Sequence, residues 1–182
     1  MSADPLVAPL AAAVGYAIRV AAALVFTSAG AAKIGARARF RAAVFEYRIL
    51  PGWMVPGVAL LLPPMEVLLG LTLLLPRYIG ISSVAAALLL LVFATAMAIN
   101  LSRGRKTIDC GCSLSSGGQR IHSTMVIRNV SMAAALLVGA MVPFPETAVL
   151  AMTACCAGAV LFLLYVVLNR VVALSTLAMT NR

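Results

Sequence analysis

The stretch Ala11–Ala32, AAAVGYAIRVAAALVFTSAGAA, decides the fold class of this chain, because Arg19 is its only charged residue. About 20 mostly apolar residues in a helix are enough to cross a hydrocarbon core roughly 30 Å thick. Four similar stretches follow, at about 55–75, 78–101, 124–142 and 147–169. None has the alternating pattern of a membrane β-barrel strand. The sequence therefore predicts an all-α, polytopic membrane bundle of about five transmembrane helices, with residues 1–182 as one domain.

The composition excludes the soluble classes. Hydrophobic residues make up 63% of the chain and charged residues 10%, whereas soluble domains have about 45–50% and 25%. A net charge of +9 would suggest nucleic acid as the partner of a soluble protein. In a membrane protein the same excess reflects basic loops next to anionic headgroups, so we expect a lipid bilayer and no nucleic acid. The first stretch is expected to be a permanent helix, because its leader is acidic and apolar and not basic like that of a signal peptide.

The basic residues are distributed unevenly between the two faces of such a bundle. With five spans, one face holds only Arg77, while Arg19 and Arg128 fall inside spans. The other face holds eleven basic residues: Lys33, Arg37, Arg39, Arg41, Arg48, Arg103, Arg105, Lys106, Arg120, Arg170 and Arg182. The positive-inside rule then predicts an outside N-terminus and places the two long loops, about 33–54 and 102–123, in the cytoplasm. Within this group, Lys33, Arg37, Arg39 and Arg41 are expected to anchor the chain to headgroups.

A pair of cysteines, Cys110 and Cys112, stands in the second long loop within Asp109-Cys110-Gly111-Cys112 and follows a basic run. Glycine lets the two sulfurs come within bonding reach, and nearby cations favour the thiolate that attacks disulfides. The pair is therefore a candidate catalytic dithiol. A permanent structural disulfide is the alternative. Metal binding through Cys110, Cys112, Asp109 and His122 is the weaker interpretation, because zinc sites normally use two well-spaced ligand pairs; no metal is expected.

Two further cysteines, Cys155 and Cys156, lie near the middle of the fifth span. Adjacent helical residues point about 100° apart, so the two cannot bond to each other without breaking the helix. Packing of small apolar side chains is their expected role. A secondary redox role, in which one of them faces the bundle and relays electrons from the loop, is the alternative.

Three ionisable residues lie inside spans: Arg19 in the first, Glu66 in the second and Arg128 in the fourth. Charges in a membrane are costly and by default face the bundle interior with a partner, so these residues are candidates for a polar or cofactor-binding site. Arg19 and Glu66 lie at similar depths when their positions are counted from opposite ends of their spans, which allows an ion pair between them. The alternative is a structural ion pair that fixes the register of the helices.

Several segments together resemble the MauE branch of the MauE/DoxX family of small membrane proteins. They are Phe26–Lys33, Phe40 with Tyr47–Pro51, Pro63–Glu66 with Gly70, Asp109–Cys112, and Arg128-Asn129. The resemblance implies a role in maturing methylamine dehydrogenase, whose small subunit carries many disulfides. It also implies a membrane-anchored thioredoxin-like partner similar to MauD, and a multi-pass location in the inner cell membrane. The bundle with a loop dithiol also looks like DsbB and vitamin K epoxide reductase, which use quinone.

The leading hypothesis is a membrane thiol–disulfide component in which Cys110 and Cys112 exchange with the thioredoxin-like partner, a thiol–disulfide oxidoreductase if the exchange is catalytic. One alternative is a non-catalytic scaffold with a structural disulfide. Another is a bundle that binds a quinone or a small solute at Glu66 and Arg19. The charge rule places the dithiol in the cytoplasm, which suits a relay of reductant outward. An oxidant like DsbB would need the pair outside, or in a loop that re-enters the bundle.

Overall fold

The computed structural model describes residues 7–104 and 123–180, and all regular secondary structure over these ranges is helical. Its helices are α1 (Val7–Gly35), α2 (Arg37–Glu46), α3 (Val55–Thr72), α4 (Ile79–Ser102), α5 (Ser123–Ala140) and α6 (Ala148–Thr180), with a short 3-10 turn at Pro76–Tyr78 before α4. Five of these, all but α2, are long and apolar enough to cross a membrane. The predicted all-α membrane fold is confirmed, and the chain is a multi-pass membrane protein.

Helix α1 is the central helix of the bundle. It packs against α3, α5 and α6, while α4 packs mainly against α5. In α1, 56% of the most apolar 18 residues are buried, whereas in α6 the share is 11%. The interior next to α1 is filled by small and branched side chains, among them Ala22, Phe26, Leu73, Ala86 and Leu136. Alanines in the interior let helices approach closely, and the resulting van der Waals packing stabilises helix contacts in lipid, where no hydrophobic effect drives helices together.

Two glycines set the contact between α1 and the antiparallel helix α3. A β-carbon added at Gly30 would stand 2.7 Å from the carbonyl oxygen of Pro63, and one added at Gly70 would stand 2.9 Å from that of Ala23. Both distances are too short for any side chain, so the two backbones touch at these two levels. The register of α3 on α1 is therefore fixed, and it determines which polar side chains of the two helices can meet.

Helix α2 lies within the first long loop, about 33–54, in which no helix was predicted. Its arginines, Arg37, Arg39 and Arg41, are exposed, while Phe40 and Ala43 are buried. With only ten residues, α2 is too short to span a membrane. It packs on α3 and covers the end of the bundle at which α1 finishes.

Candidate functional site

The central polar feature of the described structure is an ion pair between Lys33, near the end of α1, and Glu66, in the middle of α3. The Lys33 ammonium donates a hydrogen bond to Oε1 of Glu66. Lys33 is 4% exposed and Glu66 is 1% exposed, so water does not screen the pair. Taking two charges out of water costs several kcal/mol per ion and is compensated only where geometry and partners are good. The buried ion pair is therefore a specific element of the contact between α1 and α3.

Two aromatic rings complete the surroundings of the Lys33 ammonium. Its nitrogen lies 4.9 Å from the centre of the Phe93 ring in α4 and 5.4 Å from that of Phe40 in α2. Ring faces carry negative electrostatic potential, and a cation within about 6 Å gains roughly 0.5–2 kcal/mol from each when water is excluded. Side chains from α1, α2, α3 and α4 thus meet at one ammonium group.

The expected Glu66–Arg19 pair is wrong, and so is the expectation that Lys33 anchors the chain to headgroups. Arg19 stands 14 residues before Lys33 on the same helix, which is about 21 Å at 1.5 Å per residue. The register set by Gly30 brings Glu66 near the far end of α1, within reach of Lys33. A lysine side chain on a helix leans toward the N-terminus, so Lys33 points back into the bundle toward α3.

Arg19 is fully buried at a different level of the bundle from the Lys33–Glu66 pair. It is a separate candidate for a polar site. Its guanidinium lies 5.8 Å from the centre of the Tyr16 ring, which packs edge-to-face on Phe144 with 4.7 Å between ring centres. Among the described residues, none accepts a hydrogen bond from its side-chain nitrogens. Arg19 therefore does not share a site with Glu66.

Arg128, the third ionisable residue predicted inside a span, connects α5 to α6. Its guanidinium donates a hydrogen bond to Oδ1 of Asn169 at 2.6 Å and lies 5.1 Å from the centre of the Tyr165 ring. A weaker contact at 3.5 Å reaches Oδ1 of its neighbour Asn129. These partners are neutral side chains and not a carboxylate. The arrangement ties two helices together and is separate from the Lys33–Glu66 pair between α1 and α3.

Next to Lys33, the structure contains an apolar cavity of about 180 Å³ between α2, α3 and α4. Buried residues at one side of it include Lys33, Phe40, Ala43 and Met97. On the open side, Val92 of α4 is 61% exposed and Ile49, in the connection after α2, is 39% exposed. This cavity was not predicted from the sequence. The signal was the helical spacing of Phe40, Ala43 and Tyr47, three and four residues apart, which all line it.

The segments that carry the family resemblance converge on this cavity and on the ion pair. Phe26–Lys33 supplies Lys33, and Pro63–Glu66 supplies its carboxylate partner. Phe40 and the segment Tyr47–Pro51 contribute four lining residues: Phe40, Tyr47, Ile49 and Leu50. Features that looked unrelated along the chain thus form one site in space.

The predicted dithiol, Cys110 and Cys112, lies outside the described residues, as do Asp109 and His122. The two helix ends that hold this loop are described, and they lie at the end of the bundle where the cavity is. The guanidinium of Arg103, just after α4, donates a hydrogen bond at 3.3 Å to the carbonyl oxygen of Arg48 in the loop after α2. Met97 and Met125, from α4 and α5, pack with the cavity residues Tyr47 and Phe93.

Cys155 and Cys156 are free thiols, and both side chains are exposed on α6. The Cys155 side chain interacts with Tyr16 of α1, so it lies at the edge of the α1–α6 contact. Neither thiol is buried in the bundle interior, where a relay from the loop would need one. The small-residue packing role expected for this pair is also not seen at the exposed Cys156 side chain.

Comparison with known proteins gives a consistent family. The model of the family described as methylamine utilisation protein MauE matches residues 11–142. A relative of that name from Paracoccus denitrificans is 34% identical over 99% of this chain and 97% of its own length. Relatives of the same name from Paracoccus versutus and Methylophilus methylotrophus are 39% and 34% identical, over 82% and 79% of this chain and 82% and 77% of their own lengths. No solved structure matches. The chain belongs to the MauE family.

Proposed function

We propose that this protein is a membrane thiol–disulfide component of methylamine utilisation, located in the inner cell membrane. Cys110 and Cys112 cycle between dithiol and disulfide, and they exchange with a membrane-anchored thioredoxin-like protein similar to MauD. The exported substrate is the small subunit of methylamine dehydrogenase, whose disulfides must be set. The observation that carries the proposal is Cys-Gly-Cys beside a cationic run in a chain of the MauE family.

One exchange balances between the two proteins alone, and each further turnover needs a second dithiol or disulfide compound that returns Cys110 and Cys112 to their starting state. A thiolate of the pair attacks one sulfur of the partner's disulfide, and a mixed disulfide forms while the other partner sulfur leaves as a thiolate. The second cysteine of the pair then attacks the mixed disulfide and releases the reduced partner. Cys110 and Cys112 end oxidised, and the partner gains two electrons. The reverse sequence transfers the electrons in the opposite direction.

Serine replacements test the proposal. Cys110→Ser and Cys112→Ser should each abolish maturation of the small subunit, measured as the number of its thiols that react with an alkylating reagent in cells. Cys155→Ser and Cys156→Ser are matched controls, because both thiols are exposed on α6, and they should leave maturation unchanged. Normal maturation in both loop variants would overturn the proposal. Less membrane protein, with unchanged maturation per molecule, would favour the scaffold with a structural disulfide.

The direction of electron flow follows from the side of the membrane on which the dithiol lies. An impermeant thiol reagent is applied to intact cells that carry Cys112 as the only cysteine, and then to permeabilised cells. The excess of basic residues at this end predicts labelling only after permeabilisation, in which case a further carrier would have to bring reducing equivalents across the membrane to the exported substrate. Labelling in intact cells would contradict the charge rule here and would make the protein an oxidant of its partner.

A further inference from the structure

We propose that the cavity next to Lys33 is a binding site for the ring of a lipid-soluble quinone. The proposal rests on the shape and chemistry of the cavity, and it stands independently of the thiol exchange. A quinone site formed by Glu66 and Arg19 together, the alternative considered from the sequence, is excluded because those two residues lie at different levels of the bundle.

The size of the cavity suits one substituted six-membered ring. Its volume is about 180 Å³. An apolar cavity of about 150 Å³ in another protein stays dry and binds benzene. A ring with small substituents would therefore fill the space, while most of a quinone's long isoprenoid tail would have to remain outside it.

The lining favours a flat, largely apolar group, and Lys33 is its one charged residue. Phe40, Phe93 and Tyr47 supply aromatic surface, on which a ring packs offset or edge-to-face. Lys33 supplies a hydrogen-bond donor: an ammonium has three N–H groups, and among the described residues Glu66 accepts one of them. A quinone carbonyl accepts such a bond. An acyl chain would gain nothing from a buried cation.

The position of the mouth matches a ligand that arrives through the bilayer. Val92 is exposed on the membrane-spanning helix α4 and Ile49 is exposed in the connection after α2, whereas the buried Met97 and Phe40 lie on the inner side. A lipid-soluble ring can reach Val92 from the bilayer without crossing water. The site therefore does not depend on the side of the membrane on which the loop thiols lie.

Two matched replacements of alanine by leucine on α4 test the site. Ala96 lines the cavity, and Ala98, two residues later on the same helix, is exposed. Leucine at either position adds the same three carbon atoms, but only Ala96→Leu fills the cavity. Binding of ubiquinone-1 is measured by equilibrium dialysis on the full chain in phosphatidylcholine nanodiscs.

We expect saturable binding of ubiquinone-1 by the wild type, weakened at least about tenfold by Ala96→Leu and changed less than about twofold by Ala98→Leu. Absence of saturable binding to the wild type, or equal weakening by both variants, would overturn the site. Displacement of ubiquinone-1 by hexadecane at equal concentration would also overturn it, because hexadecane has no oxygen and its binding would identify a non-selective lipid groove. A melting temperature measured for each variant separates loss of the site from loss of the fold.

A Cys110→Ser/Cys112→Ser variant separates this proposal from the proposed function. It should bind ubiquinone-1 as the wild type does. Intact binding together with normal maturation would remove the thiol function and leave the site. Failed binding in the wild type together with lost maturation in the serine variants would remove the site and leave the thiol function.

Discussion

The Lys33–Glu66 pair allows a quantitative test of how α1 and α3 are held together. Both side chains are almost fully buried, at 4% and 1% exposure. Lys33→Met leaves the Glu66 carboxylate without its cation, and Glu66→Leu leaves the ammonium without its carboxylate. The double variant, Lys33→Met/Glu66→Leu, replaces the pair with apolar side chains of similar length. Together with the wild type, these proteins form a double-mutant cycle.

The expected magnitudes follow from the burial of the pair. Removing one partner of a buried ion pair costs about 3–5 kcal/mol, whereas replacing both partners by apolar groups is often neutral. Independent effects would add to about 6–10 kcal/mol, so a double variant within about 2 kcal/mol of the wild type means a coupling of at least about 4 kcal/mol. Glu66→Leu should be the milder single change, because the rings of Phe40 and Phe93 still face the ammonium.

The free energy of unfolding is measured by titration with dodecyl sulfate in mixed micelles, with helicity as the signal. Arg37→Met is the control, because Arg37 is an exposed cation near the same end of the bundle, and it should change the free energy by less than about 0.5 kcal/mol. The reasoning fails if each single variant costs less than about 1 kcal/mol. It also fails if the double variant costs as much as the two single variants together.

Three further expectations concern other contacts. Gly30→Ala should destabilise the protein by about 1–3 kcal/mol in the same titration, since its β-carbon would clash with the backbone of α3, while Gly57→Ala, which meets nothing within 4 Å, should be close to neutral. Arg128→Leu should lower the melting temperature through loss of the hydrogen bond and ring contact to α6 without changing ubiquinone-1 binding. In wild-type membranes, Cys155 and Cys156 should not react with an impermeant maleimide until dodecyl sulfate unfolds the protein, because they are exposed on a membrane-spanning helix where the reactive thiolate does not form; modification of either residue in intact membranes, located by peptide mass mapping, would contradict this placement.

The five spans were predictable because length and hydropathy are local properties of the chain. The structure has a candidate span at each predicted stretch, and the first begins at Val7, four residues before Ala11. The tight connections at Pro76-Arg77 and 143–146 already indicated that the flanking helices form antiparallel hairpins. Lipid imposes these features on each segment separately, so no knowledge of the packed bundle is needed.

The partner of Glu66 was not predictable in the same way. Depth counted from the ends of the spans favoured Arg19, but the actual register depends on where Gly30 and Gly70 let the two backbones touch. Lys33 lies one residue beyond the predicted end of the first span, where a lysine ordinarily reaches the headgroups. Its burial results from α2 folding over it, which is a tertiary effect.

The cavity was missed for the same reason. Its lining comes from α1, α2, α3 and α4, and no single segment shows a cavity by composition. The burial of Lys33 also bears on the charge argument, because it removes one of the eleven basic residues counted at this end. Ten remain against Arg77, so the predicted orientation is unchanged.

Trapping of the mixed disulfide is the most direct test of the thiol function. The thioredoxin-like partner is expressed with its resolving cysteine replaced by serine, together with this protein carrying Cys110→Ser, Cys112→Ser or both. At least one single variant should give a covalent complex of the two proteins that disappears on reduction, and the double variant should give none. A complex of the same yield in the double variant, or none in either single variant or the wild type, would contradict exchange at Cys110 and Cys112.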